Sequence, residues 1–256
     1  MHVFWLQQSV ADIPATDDWL TESEATRLNS FRFAKRRADW RLGRWTAKRA
    51  VAACLELPND ASSLRKIEII PASTGQPEVT LCDRAETVTI SISHRQGIAI
   101  CAVARGTVQL GCDLEIVELR SDAFIADYFT MKEQELIART TGDKRTLLVA
   151  LLWSAKESAL KALHVGLRVD TRSVEVAELG LSDDWSKETD EDSPSRSLPA
   201  GMSDISRSTW RPLQVQCADG TALCGWWQRS GNNLRTIVAS PPPAPPVELQ
   251  PQFESG

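Results

Sequence analysis

The segment "GCDLE", residues 111–115, places two carboxylates two positions apart in a stretch that alternates apolar and polar side chains. Because side chains alternate between the faces of a β-strand, Asp113 and Glu115 should project from one face and Cys112 and Leu114 from the other. Neighbouring like charges repel unless a cation lies between them, and carboxylate oxygens are ligands that suit Mg²⁺. The pattern alone leaves two interpretations open, a solvent-facing strand with two unrelated acids, which it favours, or part of a metal site.

A third carboxylate lies between two lysines in the segment "WSAKESALKAL", residues 153–163. On a helix, side chains spaced by four residues share one face, so Trp153, Glu157 and Lys161 should lie in one row. Glu157 before Lys161 is also the favourable order for a helical ion pair, which contributes only about 0.3–0.5 kcal/mol at a surface. The spacing alone leaves two interpretations open, an ordinary surface ion pair or a carboxylate that takes part in chemistry.

Basic side chains recur on one face of a predicted helix that precedes both acidic segments. Arg37, Arg41, Arg44 and Lys48 follow one another at spacings of four, three and four residues, which places them in one row. With Arg27 on the preceding helix they could form a surface that binds anions such as phosphate. Solvated helix faces often carry the same pattern, so a plain surface is the alternative.

The segment "SISH", residues 91–94, ends a predicted strand where the chain enters a turn. At this point the Ser93 hydroxyl, the His94 imidazole and free backbone N–H groups could bind a phosphate. A histidine at a strand end is otherwise an ordinary surface residue.

Periodic apolar positions predict the elements that must place these groups. The strongest helix covers residues 143–163, where Leu151 and Ala155 lie on the side opposite Glu157 and should be buried. Lys156 falls at the edge of that side, where its stem should run along the core with the amine in water. The other predicted helices cover residues 18–29, 35–57 and 123–140, and the predicted strands cover residues 67–70, 78–81, 87–93, 97–104, 108–117, 174–177, 213–218, 222–230 and 234–240. Helices combined with antiparallel strands predict an α+β fold.

The overall composition is that of a globular protein and excludes several classes. The chain has 256 residues and a net charge of −5, which argues against proteins that coat nucleic acid or membranes. Its first residues lack a signal peptide, and no apolar run approaches the ~20 residues that span a bilayer. The six cysteines are scattered without metal-ligand spacing, as expected for reduced thiols in a cytoplasmic protein. An acidic segment, about 181–207, is predicted to be a mobile loop, and the Pro-rich tail, 241–256, to be disordered.

In their order along the chain, these motifs resemble those of the Sfp-type 4′-phosphopantetheinyl transferases. That family has "SxSH" at a strand end, then "G(I/V/C)D(I/L/V)E", and later "(F/W)(S/C/T)xKExxxK" on a helix. The corresponding segments here are residues 91–94, 111–115 and 153–161, and the resemblance extends from about residue 27 to residue 163. It implies an α+β fold of two similar halves, packed as a pseudo-dimer with antiparallel sheets and with coenzyme A in the cleft between them. The halves are expected to be residues 1–105 and 106–240.

The resemblance also implies roles for the acidic residues and for the lysine that follows them. Asp113, Glu115 and Glu157 are expected to hold Mg²⁺, which binds the pyrophosphate oxygens of coenzyme A. Asp113 thereby counts among the coenzyme A-binding positions. Glu157 is the candidate for accepting the proton of the attacking serine hydroxyl. Lys161, one turn later, is expected to bind the transferred phosphate and to stabilise its charge.

Other matched positions are expected to bind the nucleotide part of coenzyme A. Ser93, His94 and Arg27 correspond to positions that bind the 3′-phosphate, and Arg44 is a further candidate. The family commonly has "GKP" where this chain has "GQP", so Gln76 replaces a lysine that contacts the nucleotide phosphates. Because an amide carries no charge, the resemblance implies either weaker binding or compensation by Arg37 or Arg44.

The activity that the resemblance implies is transfer of the 4′-phosphopantetheine group of coenzyme A to a serine hydroxyl of an apo acyl carrier or peptidyl carrier protein. Adenosine 3′,5′-bisphosphate is released. The enzyme is expected to be a Mg²⁺-dependent monomer in the cytoplasm, without nucleic-acid or membrane partners. One alternative is a non-catalytic regulator or scaffold that keeps the fold and binds coenzyme A. Another is a metal-dependent nuclease, which the net negative charge disfavours.

Overall fold

The chain is organised around two long helices, each of which covers one sheet. The computed structural model describes residues 1–82, 85–181 and 210–250. The helices are α1 (Glu22–Ser30), α2 (Ala34–Cys54), α3 (Ala61–Leu64), α4 (Asp122–Tyr128), α5 (Met131–Ala138) and α6 (Gly142–Ala162). The strands are β1 (Phe4–Ser9), β2 (Ile67–Pro71), β3 (Pro77–Leu81), β4 (Val88–Arg95), β5 (Ile98–Arg105), β6 (Gln109–Ile116), β7 (Val174–Glu178), β8 (Arg211–Cys217), β9 (Ala222–Ser230), β10 (Asn233–Ser240) and β11 (Val247–Glu248). None of the described helices is long and apolar enough to cross a membrane.

The strands form two sheets with the same internal order. The first sheet runs β11-β1-β5-β4-β3-β2 and the second runs β6-β10-β9-β8-β7. All neighbouring strands are antiparallel except β1 and β11. The predicted α+β fold of two similar halves with antiparallel sheets is confirmed. The predicted division between residues 105 and 106 falls at the end of β5.

Buried apolar side chains account for the layering of helices and sheets. α2 and the first sheet share one core cluster, which includes Val51 and Leu6. α6 and the second sheet share another, which includes Leu152 and Leu234. A third cluster lies between the two sheets and joins Val3, Trp5, Ile100, Ala102 and Ala104 to Leu110, Cys112, Leu114, Ile237 and Ala239. The apolar side predicted for α6 is confirmed, since Leu148, Leu151, Leu152, Ala155 and Ala159 are all buried.

The helix predicted before α6 is two helices in the structure, α4 and α5. The chain leaves helical geometry at Phe129, with φ −110° and ψ 148°, and Thr130 then caps α5. The Thr130 hydroxyl accepts a hydrogen bond from the Glu133 N–H, and the Glu133 carboxylate binds the Thr130 N–H in return, which is a capping box. A second capping box, formed by Thr21 and Glu24, makes α1 begin later than predicted.

The predicted disorder of the Pro-rich tail is wrong for residues 241–250. β11 pairs in parallel with β1, where the Val247 N–H donates to the Val3 carbonyl at 3.0 Å and the Leu249 N–H to the Trp5 carbonyl at 2.8 Å. The open edge of β1 supplies the hydrogen bonds that a two-residue strand cannot supply alone, which explains why local composition does not reveal it. Residues 251–256, and the predicted mobile loop from residue 182 onward, lie outside the described residues.

Candidate active site

A cleft of about 1100 Å³ lies between the two halves. Its walls are α1, α2 and the β2–β3 turn on the first half, and the end of α6 with the following loop on the second half. The predicted ligand-binding residues that line it are Arg27, Arg44, Gln76, His94 and Lys161. The fold therefore gathers these residues, which are far apart in the sequence, around one space.

Asp113 on β6 is the point where three elements meet. Its side chain is buried, at 5% exposure, so the solvent-facing strand considered above is wrong. Oδ1 lies 2.8 Å from Lys161 Nζ of α6 and accepts a hydrogen bond from Ser93 Oγ of β4, also at 2.8 Å. Oδ2 accepts from Ser154 Oγ of α6 at 2.9 Å. The Ser93 hydroxyl, predicted to bind a phosphate, thus supports a carboxylate.

Gly111 allows β6 to come close enough to α6 for these contacts. A Cβ atom at this position would lie 1.8 Å from the Ser158 carbonyl oxygen, well inside van der Waals contact. The strand can therefore rest against the helix backbone only because Gly111 has no side chain. This approach brings Asp113 within hydrogen-bond distance of Ser154 and Lys161.

Lys161 pairs with Asp113 rather than with Glu157. Its amine also donates to the Cys112 carbonyl at 3.0 Å. Burial lowers the pKa of Lys161, but the attractions of Asp113, Cys112 and Glu157 together outweigh burial, so that this pKa is raised. Lys161 is therefore a fixed cation at the wall of the cleft, and the helical ion pair that the spacing allowed is not the contact it makes.

Glu157 is half-buried on the same face of α6. Burial raises the pKa of Glu157 to about 7, and repulsion by Asp113 and Glu115 acts in the same direction while Lys161 opposes it. A carboxylate with this pKa gains and loses a proton near neutral pH, which is a property of general bases.

Glu115 is the third acidic residue of the cluster. It is 8% exposed, and its carboxylate accepts hydrogen bonds from Trp153 Nε1 at 3.1 Å and from Arg120 at 3.3 Å. Burial raises the pKa of Glu115, and the charge of Asp113 raises it further. The predicted alternation of β6 is confirmed, since Asp113 and Glu115 face α6 while Cys112 and Leu114 lie in the cluster between the sheets.

The three carboxylates have the charge that a cation site requires but not the ligand geometry. The charge of Asp113 raises the pKa of Glu115, and the charges of both raise the pKa of Glu157, so a divalent cation among them would relieve repulsion, and an all-oxygen donor set suits Mg²⁺. As the side chains stand, however, the described residues contain no group of three His, Cys, Asp or Glu arranged to hold a metal ion. Ammonium and hydroxyl groups already bind Asp113.

The basic row predicted on α2 does not form one surface. Arg41 binds Asp17 and the backbone of Thr16, Arg37 binds Asn29, and Lys48 is fully buried. Among the four residues of the row, only Arg44 lines the cleft. The reason is that α1 and the loop before α1 pack against α2, and their polar groups bind the other three cations.

Arg44 combines burial with an unsatisfied donor. Its side chain is 11% exposed, lies over the Trp40 ring at 4.7 Å and has its Nε 3.7 Å from Glu24 Oε1. That Nε has no hydrogen-bond partner, and burial lowers the pKa of the guanidinium. On the neighbouring helix, Arg27 also lines the cleft and stacks on Phe31.

One cleft residue that the sequence did not predict is Arg168, which contacts the β2–β3 turn from the other half. Gln76 lines the cleft, and its Oε1 is buried without a hydrogen-bond partner. Arg168, from the other half, lines the cleft as well and donates to the Thr74 carbonyl of this turn at 2.9 Å. Arg168 thus places a positive charge beside the uncharged Gln76. No local pattern marks Arg168, because the contact joins residues far apart in the sequence.

Two histidines line the cleft. His94 is exposed at the end of β4, and removal of water from its ring lowers its pKa, with the charges of Lys161 and Lys35 acting in the same direction. His164 follows α6 and adopts a left-handed conformation with φ 60°, which is uncommon for a residue with a side chain. Its Nδ1 has no hydrogen-bond partner. Both rings are therefore mainly neutral donors or acceptors near pH 7.

The family comparison matches residues 109–200 to the 4′-phosphopantetheinyl transferase superfamily. Two similar curated proteins are L-aminoadipate-semialdehyde dehydrogenase-phosphopantetheinyl transferases. The one from Xenopus laevis is 23% identical over 68% of this chain and 61% of its own length. The one from Mus musculus is 28% identical over 64% of this chain and 56% of its own length. The chain thus spans less than two thirds of the length of these relatives.

Among solved structures, a holo-(acyl-carrier-protein) synthase from Bacillus anthracis, crystallised with coenzyme A (3′,5′-ADP), matches 41% of this chain and 94% of its own chain. The sequence identity is 21% and the TM-score is 0.36. The similarity that the three motifs predicted is confirmed by the family match over residues 109–200 and by both curated relatives.

Proposed function

We propose that this chain transfers the 4′-phosphopantetheine group of coenzyme A to a serine hydroxyl of an apo carrier protein. The observation that carries the proposal is the contact between Asp113 and Lys161, which joins the two acidic motifs at the wall of a cleft between the halves. In the reaction, the serine oxygen bonds to the phosphorus that carries pantetheine. The bond from that phosphorus to the bridging pyrophosphate oxygen breaks, and adenosine 3′,5′-bisphosphate leaves.

Glu157 is proposed as the acceptor of the serine proton. Its pKa of about 7 means that a large fraction is deprotonated at neutral pH while the group retains affinity for a proton. Its position on α6, one turn before Lys161, places it beside the lysine that would bind the transferred phosphate.

Lys161 is proposed to stabilise the negative charge of the transferred phosphate. The raised pKa keeps its amine protonated, and Asp113 restrains the side chain at the cleft wall. A cation fixed in advance stabilises developing charge without reorganising during the reaction.

Asp113, Glu115 and Glu157 are proposed to hold Mg²⁺. When bound, the cation would offset the negative charge that develops on the departing 5′-phosphate of adenosine 3′,5′-bisphosphate. The raised pKa values of Glu115 and Glu157 support this assignment, because a site that repels its own charges gains most from a cation.

The cleft is proposed to bind coenzyme A through three cations and one neutral imidazole. The cations Arg27, Arg44 and Arg168 line it together with His94, and these side chains offer donors to phosphate oxygens. Arg168 supplies the charge that Gln76 lacks at the β2–β3 turn. This arrangement favours a ligand with several phosphates that is long enough to reach from α1 to the end of α6.

Acyl carrier or peptidyl carrier proteins in their apo form are the proposed acceptors. We further propose that the enzyme works as a monomer in the cytoplasm and that its two halves divide between residues 105 and 106.

Intact-mass measurement of apo carrier proteins tests the proposed reaction. Each carrier is incubated with coenzyme A and Mg²⁺, with and without the enzyme, and the mass is expected to rise by one phosphopantetheine only with the enzyme. The matched control is the carrier with its acceptor serine replaced by alanine. If no member of a panel of acyl and peptidyl carriers gains the increment, while coenzyme A still binds, the chain is a binding protein and the proposed activity is wrong.

A further inference from the structure

Each half of the molecule contains the same buried arrangement around a glutamate. In the first half, Glu24 caps α1 by binding the Thr21 N–H at 3.0 Å and also binds the Ile69 N–H of β2 at 3.1 Å. Lys48 of α2, fully buried, lies 2.5 Å from the same carboxylate. One glutamate thus holds the start of α1, the strand β2 and the middle of α2 together.

In the second half, Glu133 makes the corresponding contacts. It caps α5 through the Thr130 N–H at 2.8 Å and binds the Val176 N–H of β7 at 3.0 Å. Lys156 of α6, also fully buried, lies 2.8 Å from it. The expectation that the Lys156 amine reaches water is therefore wrong. In this half, the arrangement joins α5, β7 and α6 and lines no part of the cleft.

The sequence carries a trace of this duplication. Lys48 closes the segment "WTAK" at residues 45–48, and Lys156 closes "WSAK" at residues 153–156. The tryptophan, the small hydroxyl residue, alanine and lysine recur in the same order on α2 and α6. Positions counted from these lysines and from the two glutamates can therefore be compared between halves.

The two arrangements differ at the positions that face the cleft. Four residues before the buried lysine, the first half has Arg44 and the second has Leu152, which is fully buried. Three residues after the glutamate, the first half has Arg27 and the second has Leu136. Arg27 and Arg44 line the cleft. The first half thus carries two extra cations on a framework that the second half completes with leucines.

With these substitutions, three cations (Arg27, Arg44 and Lys48) share two nearby carboxylates (Glu24 and Glu68). Glu24 has two cationic neighbours within 4 Å, Lys48 at 2.5 Å and Arg44 at 3.7 Å, whereas the described residues give Glu133 only Lys156. A buried cation with an unsatisfied Nε is unfavourable unless an anion completes its contacts. The cleft beside Arg44 is the place from which such an anion can enter.

We propose that Glu24 is a positioning residue for phosphate recognition. It holds Arg44 at the cleft wall, where the guanidinium binds a phosphate group of coenzyme A. Glu133 only joins the elements of its own half. The inference rests on the proposed function in one respect, the identity of coenzyme A as the ligand.

Three variants separate positioning from structure: Glu24→Gln, its matched control Glu133→Gln, and Arg44→Leu, which installs the residue found in the other half. Both glutamine variants are expected to lower the Tm, because each leaves a buried lysine without its carboxylate. Binding of coenzyme A is measured by calorimetry without Mg²⁺ or carrier. Its Kd should rise about tenfold in Glu24→Gln and Arg44→Leu and remain within twofold of wild type in Glu133→Gln.

The double variant Glu24→Gln/Arg44→Leu tests whether Glu24 acts through Arg44. Its Kd should equal that of Arg44→Leu, because a positioning residue has no effect once the residue it positions is gone. An unchanged Kd in Arg44→Leu, or an equal rise in Kd for Glu133→Gln, overturns the proposal.

If Glu24→Gln does not fold, Glu24→Asp tests the same role, because it keeps the charge but draws the carboxylate away from Arg44, and its Kd should also rise; an unchanged Kd in a folded Glu24→Asp overturns the proposal. Because the readout is binding, failure of carrier modification in the wild type contradicts the transferase activity without touching this inference. Normal modification by Arg44→Leu with an unchanged Kd contradicts this inference alone.

Discussion

Lys161 Nζ of α6 lies 2.8 Å from Asp113 Oδ1 of β6, and this ion pair links the two motifs that are most characteristic of the sequence. The pair leaves Glu157, one turn away on the same helix, without a close cationic partner in the described part of the chain. Lys161 therefore lowers the pKa of Glu157 only partly, and burial dominates. That geometry supports the proposed roles of Lys161 as a fixed cation and of Glu157 as the proton acceptor.

Replacing Glu157 with glutamine should abolish transfer while the fold is retained. Glutamine has nearly the same shape but cannot accept the serine proton, so we expect kcat to fall by about 10²–10⁴-fold. The measurement is the rate of carrier modification by intact mass, with circular dichroism as the control for folding. Near-normal turnover would refute the role assigned to Glu157.

The same variant should change how stability depends on pH in the metal-free protein. The folded-state pKa of Glu157 is raised from 4.5 to about 7, so between these values the folded protein binds more protons at this site than the unfolded chain. Its contribution to the free energy of unfolding must therefore fall as the pH rises from 4.5 to about 7. Denaturant unfolding of wild type and Glu157→Gln across this range should show a difference that grows in favour of the variant. A difference that is constant with pH would contradict the raised pKa.

Replacing Asp113 with alanine should remove turnover and the response to Mg²⁺ together. The change deletes a proposed metal ligand and the partner of Lys161, and we expect a loss of about 10²–10³-fold. Ser154→Ala is the matched control, because it removes the hydrogen bonds of this hydroxyl to Asp113 Oδ2 and Thr236 Oγ1 but leaves the carboxylate in place, and it should retain most of the activity. The check is a Mg²⁺ titration of carrier modification, and an unchanged curve for Asp113→Ala would remove Asp113 from the metal site.

Replacing Arg168 with alanine should raise the KM for coenzyme A about tenfold. This is the loss of affinity expected when one charge-assisted hydrogen bond is removed. A lysine introduced at Gln76 in that background should restore part of the affinity, since it returns a charge to the same turn. Arg172→Ala is the control, because Arg172 pairs with Asp170 on the exposed surface. If Gln76→Lys fails to lower the KM of the Arg168 variant, the two positions do not share a phosphate.

Removing residues 241–256 should lower stability by about 2 kcal/mol, from lost backbone hydrogen bonds and the packing of Leu249. β11 and the Ala244 N–H, which donates to the Met1 carbonyl at 2.9 Å, would no longer cover the edge of β1. Chemical denaturation of the shortened chain measures the effect. Removing residues 251–256 alone is the control, and an equal loss of stability in both would contradict the contribution of β11.

Local patterns in the sequence predicted the elements well and their contacts poorly. The alternation of β6 and the apolar side of α6 depend on neighbours within one element, so spacing was sufficient to predict them. The partner of Lys161, the burial of Lys48 and the contact of Arg168 with the β2–β3 turn join distant segments, and no periodicity encodes them. The repeat of "WTAK" in "WSAK" was the one signal that could have revealed the matching helices.

The geometry of the site depends on the absence of a Cβ atom at Gly111. Asp113 and Lys161 belong to different elements, and the gap between them is set by how deeply β6 rests on the backbone of α6. A methyl group at Gly111 would wedge strand from helix and pull the ion pair apart, although every charged group would still be present. We therefore expect the site to tolerate substitution poorly at Gly111, although this residue has no functional group.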